Sequence, residues 1–310
     1  MPPLDHILAK NPYFRLGGPS IDWAGAYSAK RMIRRFQDLA AAKEKDHDAS
    51  KAQNDFLDFF IALKSSDPDV VDENVIIGYM LINMLAGADT TAITLRATFY
   101  YLLKSPKAYK RLVKELDEAK LSEPIAYRST ENLPYFNAVV KESMRLHPGI
   151  GVLLERVVPE GGLALPHDGS TIPPGTIVGL NPWVIHRDPE VFGADADAFV
   201  PERWLQREGE NAEEFEARSK AMRESDLTFG AGNRVCIGRW LALMEVYKIV
   251  PTLLRRYEVC FFLFLEWRRR AVMADDMMVQ FELVDPEREW KVKSAWFMVQ
   301  DKLDVRIKSR

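Results

Sequence analysis

Apolar residues at three- and four-residue steps set the first elements. Trp23, Tyr27, Met32, Ile33, Phe36 and Leu39 mark one side of a predicted helix from Asp22 to Lys45, with Lys30, Arg31, Arg34 and Arg35 as its solvated face. Residues 1–20, rich in Pro and Gly, read as irregular. Phe56 to Leu63 predicts a short helix, stopped near Ser65-Ser66-Asp67-Pro68. The longest pattern runs from about Val71 to Leu103, capped by Asp72 and ended by Ser105-Pro106. Apolar on nearly all sides, it predicts a buried central helix of roughly 50 Å at about 1.5 Å per residue. Pro106 to Lys120 turns Tyr109, Leu112, Val113 and Leu116 inward. Pro134 to Leu146 forms another helix, with Pro134 in its first turn and His147-Pro148 as its stop. From Gly151 the pattern shortens to strand candidates at 152–154, 157–158, 163–165 and 176–178, separated by turns such as Gly161-Gly162 and Pro173-Pro174-Gly175. A short helix and a meander fill 183–204, and 205–224 is a charged, exposed loop and helix. A last helix spans Ile237 to Arg256, and a two-residue period returns from Phe281. The fold class is mainly α with a small β part.

Composition narrows this little. The chain has 310 residues, 47% of them apolar, enough for one large domain or two smaller ones. A net charge of −3 gives no electrostatic footing for nucleic acid. Two cysteines, Cys236 and Cys260, are too few for a disulfide framework and fit a reducing compartment. Met1-Pro2-Pro3-Leu4-Asp5 has neither the basic nor the apolar region of a signal peptide. No apolar run approaches the roughly 20 residues that span a bilayer.

The chemistry concentrates in Phe229-Gly230-Ala231-Gly232-Asn233-Arg234-Val235-Cys236-Ile237-Gly238. Cys236 stands where a glycine-punctuated loop feeds a helix, and unpaired N–H groups at a helix start favour the thiolate. A thiolate so placed is a ligand for a soft metal centre, haem iron included. Gly232 and Gly238 let backbone approach a flat ligand, and Arg234 offers a planar fork for a carboxylate such as a haem propionate. A dinucleotide loop is excluded, because Val235 stands where the third glycine would be required. Ala86-Gly87-Ala88-Asp89-Thr90-Thr91 places poor helix formers in the middle of the longest helix. That segment predicts a local opening that holds water and delivers protons. His186, a lone histidine in a loop, is set aside as a haem ligand in favour of Cys236.

Phe229, Gly232, Arg234, Cys236 and Gly238, at their spacing, resemble the haem-binding loop of the haem-thiolate monooxygenases, the cytochrome P-450 family. In wording and spacing the chain most resembles microsomal fungal members of the pisatin-demethylase-like kind, from about residue 1 to 258 and from 281 to 310. The resemblance implies a single domain of that fold holding haem b, with Cys236 as axial ligand to the iron and Phe229, Gly232 and Gly238 in the binding loop. It implies that Arg234 and Arg156 clamp propionates. Thr90 would hydrogen-bond the dioxygen being cleaved, and Asp89 would supply protons through water. Glu142-x-x-Arg145 matches a family helix, and Pro201-Glu202-Arg203-Trp204 follows as in the family, so Glu142, Arg145 and Arg203 are expected to form a buried structural network. Expected partners are an apolar small molecule, O2 and an NADPH-cytochrome P-450 reductase, with no nucleic acid. The expected activity is insertion of one oxygen atom into the substrate, in fungal secondary metabolism or xenobiotic oxidation.

Two departures from the family pattern accompany it. The chain is expected to lack its N-terminal part, with the membrane anchor, so that a full-length parent sits on the endoplasmic reticulum membrane and this chain has no anchor of its own. An alternative is therefore a catalytically incompetent haem-binding or misfolded fragment, which a haem absorbance spectrum discriminates. Residues 259–280 mix Cys260-Phe261-Phe262-Leu263-Phe264-Leu265 with Arg268-Arg269-Arg270 and break the passage from Glu258 to Phe281. They are expected to be an insertion, a retained intron: Val259 codons begin GT and Gln280 can be CAG.

Overall fold

Asp55 starts the first well-capped helix: its side chain accepts from the Asp58 amide at 3.0 Å. This computed structural model describes residues 22–44, 55–259, 279–283, 287, 289–294, 298–301 and 305–309. The expectations for residues 1–20 and for 260–278 lie outside the described residues. The chain divides into two compact units, Met1–Ala88 and Asp89–Arg310.

The first unit holds α1 (Asp22–Glu44), α2 (Phe56–Ser66) and the first half of α3 (Glu73–Lys104). Arg35 ties α1 to the start of α2, pairing with Asp55 at 2.8 Å and also with Asp58. Asp72 caps α3 as expected, accepting from the Val75 amide at 2.8 Å. Met32, Leu57, Phe60, Val71 and Ile76 form the core of this unit. Two expectations need correction. On α1 the buried row is Ala24, Ser28 and Met32, one turn apart, whereas Trp23, Tyr27 and Ile33 are exposed. Small side chains let a helix sit close to its neighbours, and the bulky ones then flank the contact. The N-terminal half of α3 is not buried either. Tyr79 and Ile82 are exposed, as are Ala86 through Asp89. Two helices cannot cover a helix that is apolar on all sides, so α1 and α2 pack against Val75, Ile76, Ile77 and Met80 and leave Tyr79 and Ile82 outward.

The interruption at 86–91 leaves α3 in unbroken α-helix, so no opening of the backbone is present there. Thr94 and Thr98 bond back to the carbonyls of Thr90 and Thr94, at 3.1 and 2.9 Å. Contrary to the hydropathy expectation, α3 is long and apolar enough to cross a membrane by length and composition.

In the second unit α3 becomes a core helix from Thr91 onward. Leu102 and Leu103 join α4 (Pro106–Glu118), α6 (Pro134–Leu146) and α10 (Arg239–Arg256) in one apolar cluster, with the short α5 (Tyr127–Thr130) beside them. The α6 start, with Pro134 in its first turn, has no side-chain cap of its own. Glu115 from α4 supplies one, accepting from the Tyr135 and Phe136 amides at 2.8 and 2.7 Å. Pro251 lies inside α10 and cannot donate to the Tyr247 carbonyl. The buried Thr130 hydroxyl stands 3.1 Å from that carbonyl, within bonding reach, and 2.9 Å from Tyr127 O.

After α6, β1 (Leu154–Val157) pairs antiparallel with β4 (Ile177–Leu180), and β2 (Leu163–Ala164) with β3 (Thr171–Ile172). The last of these strands to be introduced, β3, was not anticipated. Next come α7 (Pro182–Ile185), α8 (Pro189–Phe192), a 3-10 turn at Pro201–Trp204 and α9 (Ala212–Glu224), which Asn211 and Glu214 close with a capping box. Beyond α10, β5 (Tyr257–Val259) runs parallel to β6 (Val279–Leu283), which pairs antiparallel with β9 (Val305–Ser309). A hairpin of β7 (Lys291–Ser294) and β8 (Met298–Asp301) lies between them in sequence. Val259, Val279 and Gln280, at the edges of the expected insertion, occupy strands, and Val259 pairs with Phe281.

Candidate functional site

The cysteine loop is built by its own backbone. The Cys236 amide donates to the Phe229 carbonyl at 2.8 Å, and the Gly230 amide donates to Leu227 O at 2.9 Å. Gly230 and Gly232 take φ of 72° and 64°, a region that a Cβ would strain. Phe229 anchors the loop by packing its ring against the helical core. Gly232 to Arg234 make one 3-10 turn, and α10 follows at Arg239. Phe229 is thus turned toward the protein, whereas residues 231–237 are all exposed.

That exposure is chemically lopsided. Ile237 is 100% exposed, Trp240 62% and Val235 40%. Cys236 is a free, exposed thiol. Beyond its chain neighbours, a Cβ on Gly238 would meet only the Cys236 Sγ, at 4.0 Å, and a Cβ on Gly232 would meet nothing. Arg234 is exposed and has no carboxylate partner among the described residues. A sulfur donor, bared apolar side chains, glycines and an uncompensated guanidinium fit a flat apolar group that carries carboxylates and a thiolate-binding metal. Arg156 lies on exposed β1 opposite Val178, its guanidinium donating to Glu155 O at 2.7 Å. Among the described residues no hydrogen bond or ion pair joins it to Arg234.

Thr90 is half-buried, with its Cβ 3.6 Å from where a Cβ on Gly149 would stand; Asp89 beside it is exposed. Thr91 is buried, and its hydroxyl lacks a hydrogen-bond partner among the described residues. The loop leaving α6 runs past this point. His147 is held there by the Met298 carbonyl at 2.8 Å, and Gln300 of β8 donates to Ile93 O at 2.9 Å.

Glu142, Arg145 and Arg203 come together as a buried cluster. Arg145 grips Glu142 with two bonds of 2.9 and 2.8 Å, and Arg203 Nε reaches Glu142 Oε1 at 2.9 Å. Trp204 Nε1 and the Val200 amide also donate to the carboxylate, each at 2.9 Å. Two guanidinium groups against one buried carboxylate leave a positive excess. Asp195 at 3.0 Å from Arg203, together with the carbonyls of His186, Ala196 and Ala198 on Arg145, offsets it. Trp204 and Asp195 are members that the sequence did not single out by role.

His186 is fully buried, and it joins this cluster to the cysteine loop. Its Nδ1 lies 3.0 Å from Arg145 O, and its Nε2 accepts the Leu227 amide at 2.8 Å. Burial pushes its imidazole below the usual range, although Asp226, 3.6 Å from Nε2, pulls the other way.

The cytochrome P450 family model matches residues 20–262. Cytochrome P450 monooxygenase cfoH of Aspergillus candidus is 44% identical over 310 residues, covering 100% of this chain and 52% of the relative. Cytochrome P450 monooxygenase cicH of Emericella nidulans is 37% identical, covering 100% of this chain and 55% of the relative. Cytochrome P450 monooxygenase vrtE of Penicillium aethiopicum is 34% identical, covering 99% of this chain and 55% of its own length. The chain spans about half the length of these relatives.

Proposed function

This chain belongs to the cytochrome P450 family, and on that premise we propose that it carries the catalytic half of a haem-dependent monooxygenase. The reaction inserts one oxygen atom of O2 into an apolar organic molecule and reduces the other to water. Haem b, when bound through a thiolate, supplies the dioxygen chemistry. Cys236 would be the axial ligand, and Arg234 and Arg156 would hold the propionates. Phe229 keeps the loop on the core, and Gly232 and Gly238 leave its outer face open to a flat ring. Thr90 would hold a hydrogen bond at the reacting oxygen, and the exposed Asp89 would relay protons from water. An NADPH-cytochrome P-450 reductase would supply electrons. Secondary metabolism is the setting proposed, with the parent protein on the endoplasmic reticulum membrane.

One observation carries this: a free thiol in an exposed, glycine-shaped, apolar loop closed by Cys236 N to Phe229 O. The test is the ferrous CO spectrum. The native protein is expected to give the red-shifted thiolate band, and Cys236→Ala is expected to lose it. Persistence of that band in Cys236→Ala would overturn the ligand assignment.

A further inference from the structure

A side chain from elsewhere in the chain, His186, tethers the Cys236 loop at its entrance. A peptide N–H can only donate, so the Leu227 amide fixes His186 Nε2 as an acceptor. The imidazole proton then sits on Nδ1 and is given to the Arg145 carbonyl. Arg145 answers by donating Nη1 to the His186 carbonyl at 2.6 Å. The ring is thus locked at both nitrogens, and its backbone is gripped by a guanidinium that Glu142 itself holds. Leu227 stands two residues before Phe229, whose carbonyl receives the Cys236 amide. Both Leu227 and His186 are buried, so no water replaces either bond cheaply.

We infer, given Cys236 as the axial ligand proposed above, that His186 is a positioning residue: it transmits the fixed geometry of the Glu142–Arg145 cluster to the Leu227 peptide and so sets where the Cys236 sulfur is presented. The loop's own backbone bonds and the Phe229 ring hold it together, but its positive-φ glycines leave the backbone conformationally permissive. The bond to a rigid helix through a locked ring supplies a further constraint. Loss of the Nε2 acceptor leaves the Leu227 amide buried and unpaired, and the loop entrance shifts to find a partner.

Two substitutions separate the two ends of the ring. His186→Gln can keep an acceptor for Leu227, whereas His186→Asn keeps a donor near Arg145 O but cannot reach Leu227. Both are made in the haem-loaded protein and compared with native protein in hydrogen exchange and in the ferrous CO spectrum. His186→Asn is expected to speed amide exchange in residues 225–236 by about ten-fold and to shift CO-band intensity away from the thiolate form. His186→Gln is expected to restore most of both. Native exchange and native spectrum in His186→Asn would overturn the inference, as would faster exchange with an unchanged spectrum. If native protein lacks the thiolate band, the ligand assignment fails and the sulfur-positioning role falls with it, whereas the exchange arm still reads the tether itself.

Discussion

His147 shows what one buried residue decides. Its Nε2 faces the Met298 carbonyl, an acceptor, so the proton sits on Nε2, and Nδ1 has no partner among the described residues. Charging the ring would place a proton on Nδ1 with no partner there, and burial accordingly pushes its pKa down to about 4. The unfolded chain takes up that proton near the usual histidine value of about 6.5, before the folded chain does. His147 therefore costs nothing above that value, and stability falls as pH drops through the window toward 4. The loss is about 3 kcal/mol at full extent. Urea unfolding at pH 7 and pH 4 is expected to show this fall in native protein and a smaller one in His147→Gln. An equal fall in both would locate the acid sensitivity elsewhere. From sequence, His147 read only as a helix stop.

At the scale of elements, α6 and α3 carry separate predictions. Glu142 accepts five N–H donors drawn from α6, the 3-10 turn at 201–204 and the Val200 peptide. Glu142→Ala leaves Arg145 charged and buried with no carboxylate and Arg203 with Asp195 alone, a cost of about 3–5 kcal/mol. It is expected to abolish haem incorporation, read by absorbance of the purified protein; a stable, haem-loaded variant would contradict it. On α3, Thr90 lies against the Gly149 backbone and its carbonyl is already taken by Thr94. Thr90→Ala is expected to leave the helix and haem binding intact but to divert NADPH-derived electrons to peroxide. Unchanged coupling of NADPH consumption to product would refute the role. Both helices were legible from periodicity and proline placement. The exposure of the first half of α3 was not, because all-round apolarity says that a helix wants cover and not what covers it.

For the whole molecule, we propose that residues 259–280 are translated intron. Register gives it a physical test. In β6, Val279 and Gln280 stand opposite Ser309 and Lys308. Direct joining of Glu258 to Phe281 would put Tyr257 and Glu258 in those two places. A Glu–Lys pair across an antiparallel ladder is favourable. Deleting residues 259–280 is therefore expected to raise soluble yield and the thermal midpoint, and cDNA is expected to lack the block. Uniform retention in transcripts, or a deletion that fails to fold, would refute it.

The sequence alone determined the long helices, their approximate stops, the cysteine loop and the family, because periodicity, proline, glycine and fixed motif spacing act over ten residues or fewer; the one-turn α5 and α8 carry too little pattern to be read. Glu142-x-x-Arg145 was visible for the same reason. Tertiary structure decided the rest, because it depends on groups far apart in the chain. Trp204 and Val200 complete the Glu142 shell, and Glu115 of α4 caps α6. Thr130 comes within bonding reach of the carbonyl that Pro251 leaves open. His186, dismissed as a lone loop histidine, gains its meaning only when folding sets one ring nitrogen against Arg145 O and the other against the Leu227 amide. Nothing in local pattern encodes a hydrogen bond across that distance. It exists because burial leaves each of these polar atoms no solvent to turn to.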